Sequence, residues 1–248
     1  MGEREGSIIA RSDAGVQERL SKARVEIRLA DLDRDAAKIA NLFSQPSIIG
    51  HLSGIAPSRF VADKWNRIFE EQNTFIVPAT PEGIKDLYES YNNNGLDSKK
   101  VLLVAENKEQ IVGTVAVVKY TDPGLTYHII SQLDVDQYQR RRGIGRKLLR
   151  TADALIFLPR NMGGLGGVGA ETGVIGINEG GFVGDMFKHE GYRSIGTQRD
   201  FCVSWDRRAR EFPFRDSDRF QITRQEFFDS LQEKRVNIAD LRKLLPKR

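Results

Sequence analysis

Between Asp134 and Arg146 the sequence reads DVDQYQRRRGIGR. Three consecutive arginines, Arg140, Arg141 and Arg142, run into two glycines, Gly143 and Gly145, that are one residue apart. That combination suits a phosphate-bearing ligand. If a helix opens here, its first turn leaves backbone N–H groups unpaired and carries partial positive charge. Gly143 and Gly145 have no Cβ, so a bulky anion can come close to those N–H groups. Arginines beside them add charge-assisted hydrogen bonds of the kind phosphates accept. The competing reading is a solvated basic helix start, because a charge run alone is a weak signal. Three further side chains could move a proton: Asp134, His128 on the same run, and Glu171 further along. Each also has an ordinary alternative, a solvated carboxylate or a strand histidine.

The flanking elements favour a diphosphate cradle. Residues 126–135, TYHIISQLDV, alternate as a strand does. Period-two spacing puts His128 and Asp134 on one face of it. After the glycines, Ile144, Leu148, Ala152 and Leu155 recur every three or four residues, as on one face of a helix. Upstream, residues 25–29 alternate as a first strand, and Asp31 or Asp33 caps a helix with Ala36, Ile39, Ala40 and Phe43 inward. A second helix is expected over 59–72, with Val61, Trp65, Ile68 and Phe69 on one face, and a short strand over 74–77. Thr80 and Pro81 open another helix, with Ile84, Leu87, Tyr88 and Tyr91 buried, stopped by Asn92-Asn-Asn-Gly95. Residues 101–106 and 111–120 make a hairpin, and Asp122-Pro-Gly124 turns the chain into the strand that precedes the arginines.

The segment Val135-Asp-Gln-Tyr-Gln-Arg140-Arg-Arg-Gly143-Ile-Gly145 resembles the acetyl-CoA-binding motif of the GNAT superfamily of N-acetyltransferases. Arg140, Gly143 and Gly145 match its positions, and Gln137 stands where many members carry proline. The AE…IVGTVAV hairpin is similar to the family's second and third strands, and MFKHEGYRSIG is similar to its LYEKLGF segment. The resemblance spans about residues 25–206. It implies an α/β (α+β) fold with a mixed, mostly antiparallel central sheet flanked by helices. It also implies acetyl-CoA as cosubstrate and direct acetyl transfer to a primary amine on a small molecule or peptide. Leu133, Asp134 and Val135 would line the pantetheine arm. Arg140, Arg141, Arg142, Gly143, Ile144, Gly145 and Arg146 would surround the diphosphate, with Asn178 and Phe187 also beside the cofactor. Where the family often has a tyrosine that protonates the departing thiolate, this chain has Phe187. Water or Tyr192 would then supply the proton.

Composition bounds the alternatives. A chain of 248 residues, 40% hydrophobic and 29% charged, is an ordinary globular protein, here one domain with an appendage. We divide it into an arm (1–23), the catalytic domain (24–206) and a C-terminal helical extension (207–248). In the extension, Thr223 and Glu226 form a capping box and Asn237 caps a second helix. The extension reads as a packed appendage or a homodimer contact. The net charge of +4 permits an anionic ligand without requiring nucleic acid, whose base-reading signatures are missing. One cysteine, Cys202, fits a reducing, cytoplasmic setting and reads as a buried thiol; three histidines and that cysteine are too scattered for a zinc site. No apolar run is long enough for a membrane span. Gly164-Leu-Gly166-Gly-Val-Gly169 satisfies the dinucleotide fingerprint, but a helix precedes it and a strand follows, the reverse of the required context. Two readings of other classes stand beside the enzyme: a non-catalytic acyl-CoA-binding module, suggested by Phe187, and a nucleic-acid-binding protein, suggested by the arginine run.

Overall fold

The structure, a computed structural model, describes residues 25–45, 47–48, 55–56, 77–89, 91–92, 99–122, 125–175, 182–203, 206 and 214–246. In chain order the elements are β1 (Glu26–Leu29), α1 (Leu32–Phe43), β2 (Ile55–Ala56), β3 (Val77–Pro78), α2 (Pro81–Tyr88), β4 (Lys100–Asn107), β5 (Gln110–Asp122), β6 (Leu125–Val135), α3 (Ile144–Phe157), β7 (Gly169–Ile175), α4 (Phe182–His189), β8 (Arg193–Val203), β9 (Phe214–Thr223), α5 (Arg224–Glu233) and α6 (Ile238–Arg242). The helix expected over 59–72, Asn178 and the side chain of Cys202 lie outside the described residues.

Local chemistry fixes the helix ends. The Asp31 carboxylate accepts from the N–H groups of Asp33 and Arg34, so Asp31 is the cap of α1. Thr80 caps α2 through the Gly83 N–H, with Pro81 in the first turn, where its missing N–H costs nothing. The capping box of Thr223 and Glu226 closes on α5, and Asn237 caps α6.

Seven of the described strands form one sheet in the order β1-β4-β5-β6-β7-β9-β8. Every neighbouring pair is antiparallel except β6 and β7. Both faces are covered, which is why β4 reads as an almost unbroken apolar run. Its Val101, Leu103 and Ala105 pack with α3, whereas Leu102 and Val104 pack with α1 and α2. Arg28 ties the α1 side together, donating to the fully buried Asp35 (2.6 and 2.9 Å) and to Glu106 (2.6 Å).

The extension is not an appendage. β9 lies between β7 and β8, so the domain boundary expected at 206 is moved by the sheet itself. Phe220 and Ile222 of β9 join the α3-side core, as do Phe227 and Leu231 of α5 and Leu241 of α6. The strand escaped the pattern reading because Asp216, Asp218 and Arg219 dilute its apolar alternation, leaving two buried apolar side chains at its C-terminal end. β8 runs from Arg193 to Val203 along the far edge of β9.

Register decides where the ionisable groups go. Ala116 of β5 pairs with Ser131 of β6, but Thr114 pairs with Asp134. β6 therefore carries one extra residue, and Gln132 sits there at φ 51°. Before this bulge, His128 and Ile130 face α3; after it, Leu133 and Val135 do. Asp134 falls on the opposite face, towards α2. The expectation that His128 and Asp134 share a face is thus overturned, because one inserted residue reverses the parity of everything after it.

The glycine-rich segment folds back over the end of α3. The N–H groups of Leu165, Gly166 and Gly167 donate to the carbonyls of Leu155 (2.7 Å), Leu158 (3.0 Å) and Ile156 (2.7 Å), satisfying helix-end acceptors. A Cβ on Gly164 would lie 2.1 Å from the Leu158 oxygen, and one on Gly167 would lie 2.7 Å from the His128 ring. These glycines serve close packing.

Candidate active site

The loop between β6 and α3 is assembled from inside the sheet outward. The Asp136 N–H donates to the Val112 carbonyl (2.9 Å), ending β6. One Asp136 carboxylate oxygen caps the 3-10 turn Gln137–Gln139 by accepting the Tyr138 N–H (2.8 Å). The other accepts the Gln45 amide (2.7 Å), while the Gln45 oxygen accepts the Gln137 N–H (3.2 Å). Gln137, which occupies the family's proline position, therefore supplies a donor that proline lacks. Gln45, just beyond α1, was not foreseen as part of the site.

The three arginines do different work. Arg140 folds back, donating from Nε to the Val135 carbonyl (3.2 Å) and from a terminal nitrogen to the Ser47 carbonyl (3.1 Å), so it braces the loop. Arg142 donates to the Gln139 side chain (2.5 Å). Arg141 takes a left-handed backbone, φ 61°, and Gly143 another, φ 81°. Gly143 is the N-cap of α3, and no side chain among the described residues caps the helix. An anion placed there would meet unsatisfied N–H groups at the positive end of the helix dipole, between exposed guanidinium groups. A Cβ on Gly145 would lie 3.4 Å from Val135 and 3.9 Å from the Met186 sulfur, ordinary contact distances, so the protein's own packing does not demand glycine. Arg146 turns aside to Glu190 (2.9 Å), which Arg150 also holds (2.9 Å). Ile144, Leu133 and Val135 point their side chains into or against the core, leaving only their backbones for a ligand.

Beside the loop the sheet opens. β6 and β7 pair only over His128, Ile129 and Ile130 with Ala170, Glu171 and Thr172. β7 continues with β9 as far as Ile175 and β6 with β5 as far as Val135, so beyond Ile130 the two strands part. Beyond Ile130, the β7-facing edge of β6 has no ladder partner among the described residues, and an extended amide chain could pair with it.

The proton-transfer candidates separate sharply. Asp134 is half-buried beside this opening, and loss of water pushes its carboxyl up to about 7, against the pull of Arg140. His128 is fully buried under the closed end of the β6–β7 pair, and burial, with Lys119 second, lowers it to about 4; it is a neutral core imidazole. Glu171 pairs with Ile129, and its carboxylate is bound by Arg219 (3.0 Å) and Gln221 (3.3 Å). Of these three candidates, the structure therefore leaves only Asp134 beside the opening.

Neither acid-side residue reaches the opening. Phe187 is buried, stacked on Phe220 (5.6 Å) and edge-on to Tyr192 (5.2 Å), so it packs the core instead of touching a ligand. The α4 side chain that meets the Gly145–Val135 wall is Met186, one residue earlier. The Tyr192 hydroxyl is buried and donates to Asp153 of α3 (2.5 Å), which removes it as the expected donor.

That pair has its own consequence. Burial first, then Glu190, raises the Asp153 carboxyl to about 8 against an ordinary value of about 3.9, with the Tyr192 bond opposing. A carboxyl raised in the fold contributes stability that is present at pH 4 and lost as pH climbs through 8. Asp153→Asn keeps an oxygen for Tyr192 and removes the charge. Thermal melts should show the variant level with the parent near pH 4 and several degrees more stable at pH 8. A gain that does not grow with pH would contradict the assignment.

Residues 98–193 match the family model described as an acetyltransferase (GNAT) domain. Among solved structures, the chain is similar to the ribosomal-protein-S5-alanine acetyltransferase from Vibrio fischeri, at 18% identity and TM-score 0.56 over 81% of this chain and 93% of that one. It is similar to Mycobacterium smegmatis RimJ in complex with CoA-disulfide, at 15% identity and TM-score 0.57 over 85% and 91%. It is also similar to the aminoglycoside acetyltransferase AAC(6')-Ib in complex with coenzyme A, at 17% identity and TM-score 0.53 over 83% and 98%. No curated protein matches the chain in sequence. Sheet order, the parting of β6 from β7 and the likeness to these structures lead to one conclusion: the chain has a GNAT-type fold, of which residues 98–193 match the GNAT acetyltransferase domain model.

Proposed function

We propose that this protein is an N-acetyltransferase that moves an acetyl group from acetyl-CoA directly to a primary amine of a small molecule or peptide. The observation that carries the proposal is the free β6 edge leading straight to an uncapped, glycine-bearing, arginine-flanked helix start. N–H groups from about Arg141 to Gly145 hold the diphosphate, and the backbone of Leu133 to Val135 pairs with the pantetheine amides. Asp134 accepts the proton that the attacking amine must lose, directly or through water. The N–C bond forms as the C–S bond breaks, and water protonates the released thiolate, since Met186 and Phe187 offer no proton. A thiol near pKa 8.5 needs little help to leave. An amine near pKa 8, such as a peptide α-amine, is uncharged far more often at neutral pH than a lysine near 10.4.

The relatives support the donor and leave the acceptor open: two have CoA or CoA-disulfide in their structures, and by their names they act on a ribosomal-protein alanine and on aminoglycosides. The apolar Met186 position also fits a second reading, an acyl-CoA-binding module without turnover. Calorimetry with acetyl-CoA, followed by thiol release across peptide α-amines, polyamines and aminoglycosides, separates the two. Binding with release on one amine class is the expected result. Binding without release on any class favours the module, and no binding overturns both.

A further inference from the structure

Asp134 reaches the α2 side of the sheet only because β6 is bulged at Gln132, and that bulge is held from two directions. The Thr114 hydroxyl donates to the Gln132 carbonyl (3.1 Å), and the fully buried Tyr88 hydroxyl of α2 donates to the Gln132 side-chain oxygen. Tyr88 is itself fixed, packed edge-on against Tyr91 at 4.8 Å between ring centres. A glutamine in the left-handed region is disfavoured, so the bulge persists only while its neighbours hold it. Without it, Asp134 would turn to the α3 side and Val135 would leave the core.

We propose that Tyr88 and Gln132 are positioning residues for Asp134, their hydroxyl-to-amide bond acting with Thr114 to lock the bulge that presents the carboxyl at the opening. The proposal rests on the reading of Asp134 as the base. The ionisable groups acting on Asp134 among the described residues are Arg140 from the loop and Tyr88 from α2. Burial holds the Tyr88 hydroxyl far above the usual phenol range, so it stays protonated and keeps donating.

The test is carbon NMR of aspartate carboxyls through a pH titration of the full chain, with Asp134→Asn to assign the signal. Calorimetry with acetyl-CoA checks that the fold and donor site persist. The parent should show Asp134 titrating near 7. In Tyr88→Phe and in Gln132→Ala, loosening the bulge admits water and favours the carboxylate, so the midpoint should fall by about half a unit or more in each. The double variant should move it no further than the larger single, because the two residues act as one clamp. Midpoints unmoved in both single variants, with acetyl-CoA binding intact, would overturn the proposal while leaving the base reading in place. A parent midpoint near 4 would remove Asp134 as base, and the proposal with it.

Discussion

Asp134→Asn should lower kcat for amine acetylation by about 10²- to 10⁴-fold, the usual contribution of a positioned general base, while leaving acetyl-CoA affinity unchanged. The asparagine is nearly isosteric and keeps polar atoms at the site, but it cannot take a proton. The parent's activity should rise with pH through an apparent pKa near 7, because Asp134 works only as the carboxylate and burial holds its titration there. The variant should lose that limb. Stability should move the other way. A carboxyl raised to about 7 in the fold, from about 3.9 when unfolded, contributes stability that is present at pH 4 and lost as pH rises through 7. The asparagine variant should therefore melt at a higher temperature than the parent at pH 7 and above, and at the same temperature near pH 4. Reduced rate together with increased stability separates a lost base from a damaged fold, and full activity in the variant would remove Asp134 from the reaction.

The sequence made the frame of this site legible because its signals are local. Thr80-Pro81, the Asp31/Asp33 pair and the Thr223–Glu226 box announce helix starts within a few residues, and each closes on its helix, with Asp31 the cap of α1. The arginine–glycine run between strand and helix is equally local. What stayed hidden depends on residues distant in the chain. The Gln132 bulge is defined by its partner on β5, so nothing within β6 distinguishes TYHIISQLDV from an unbroken strand. Reading it as unbroken put His128 and Asp134 on one face, whereas the bulge sends them to opposite faces of the sheet. Tyr192 looked like a spare hydroxyl until α3 brought Asp153 to it. Phe187 and Met186 differ by one helical position, about 100° of rotation, which a motif alignment alone does not resolve. Gln45 lies 91 residues from the Asp136 that it pins.

Gly145 offers the sharpest test of the donor site, because its neighbours leave room for a side chain that a bound anion would not. A Cβ there lies at ordinary contact distance from Val135 and Met186, so Gly145→Ala should fold and gain up to about 1 kcal/mol from improved helix propensity. Gly145→Glu should fold as well, since a carboxylate in the first turn of α3 interacts favourably with the helix dipole by about 0.3–1 kcal/mol. The same carboxylate would then occupy the uncapped N–H groups and repel the diphosphate. Acetyl-CoA affinity should fall by about tenfold in the alanine variant and by at least about 100-fold in the glutamate variant, which is about 2.8 kcal/mol or more. Calorimetry measures the affinities and thermal melts the folds. Raising salt should weaken the parent's binding more than the glutamate variant's, because the charge attraction is already cancelled there. Glycine at 145 would then be a residue that the ligand requires and the fold does not. Unchanged affinity in a folded Gly145→Glu would mean that the loop, for all its geometry, is not where the diphosphate sits.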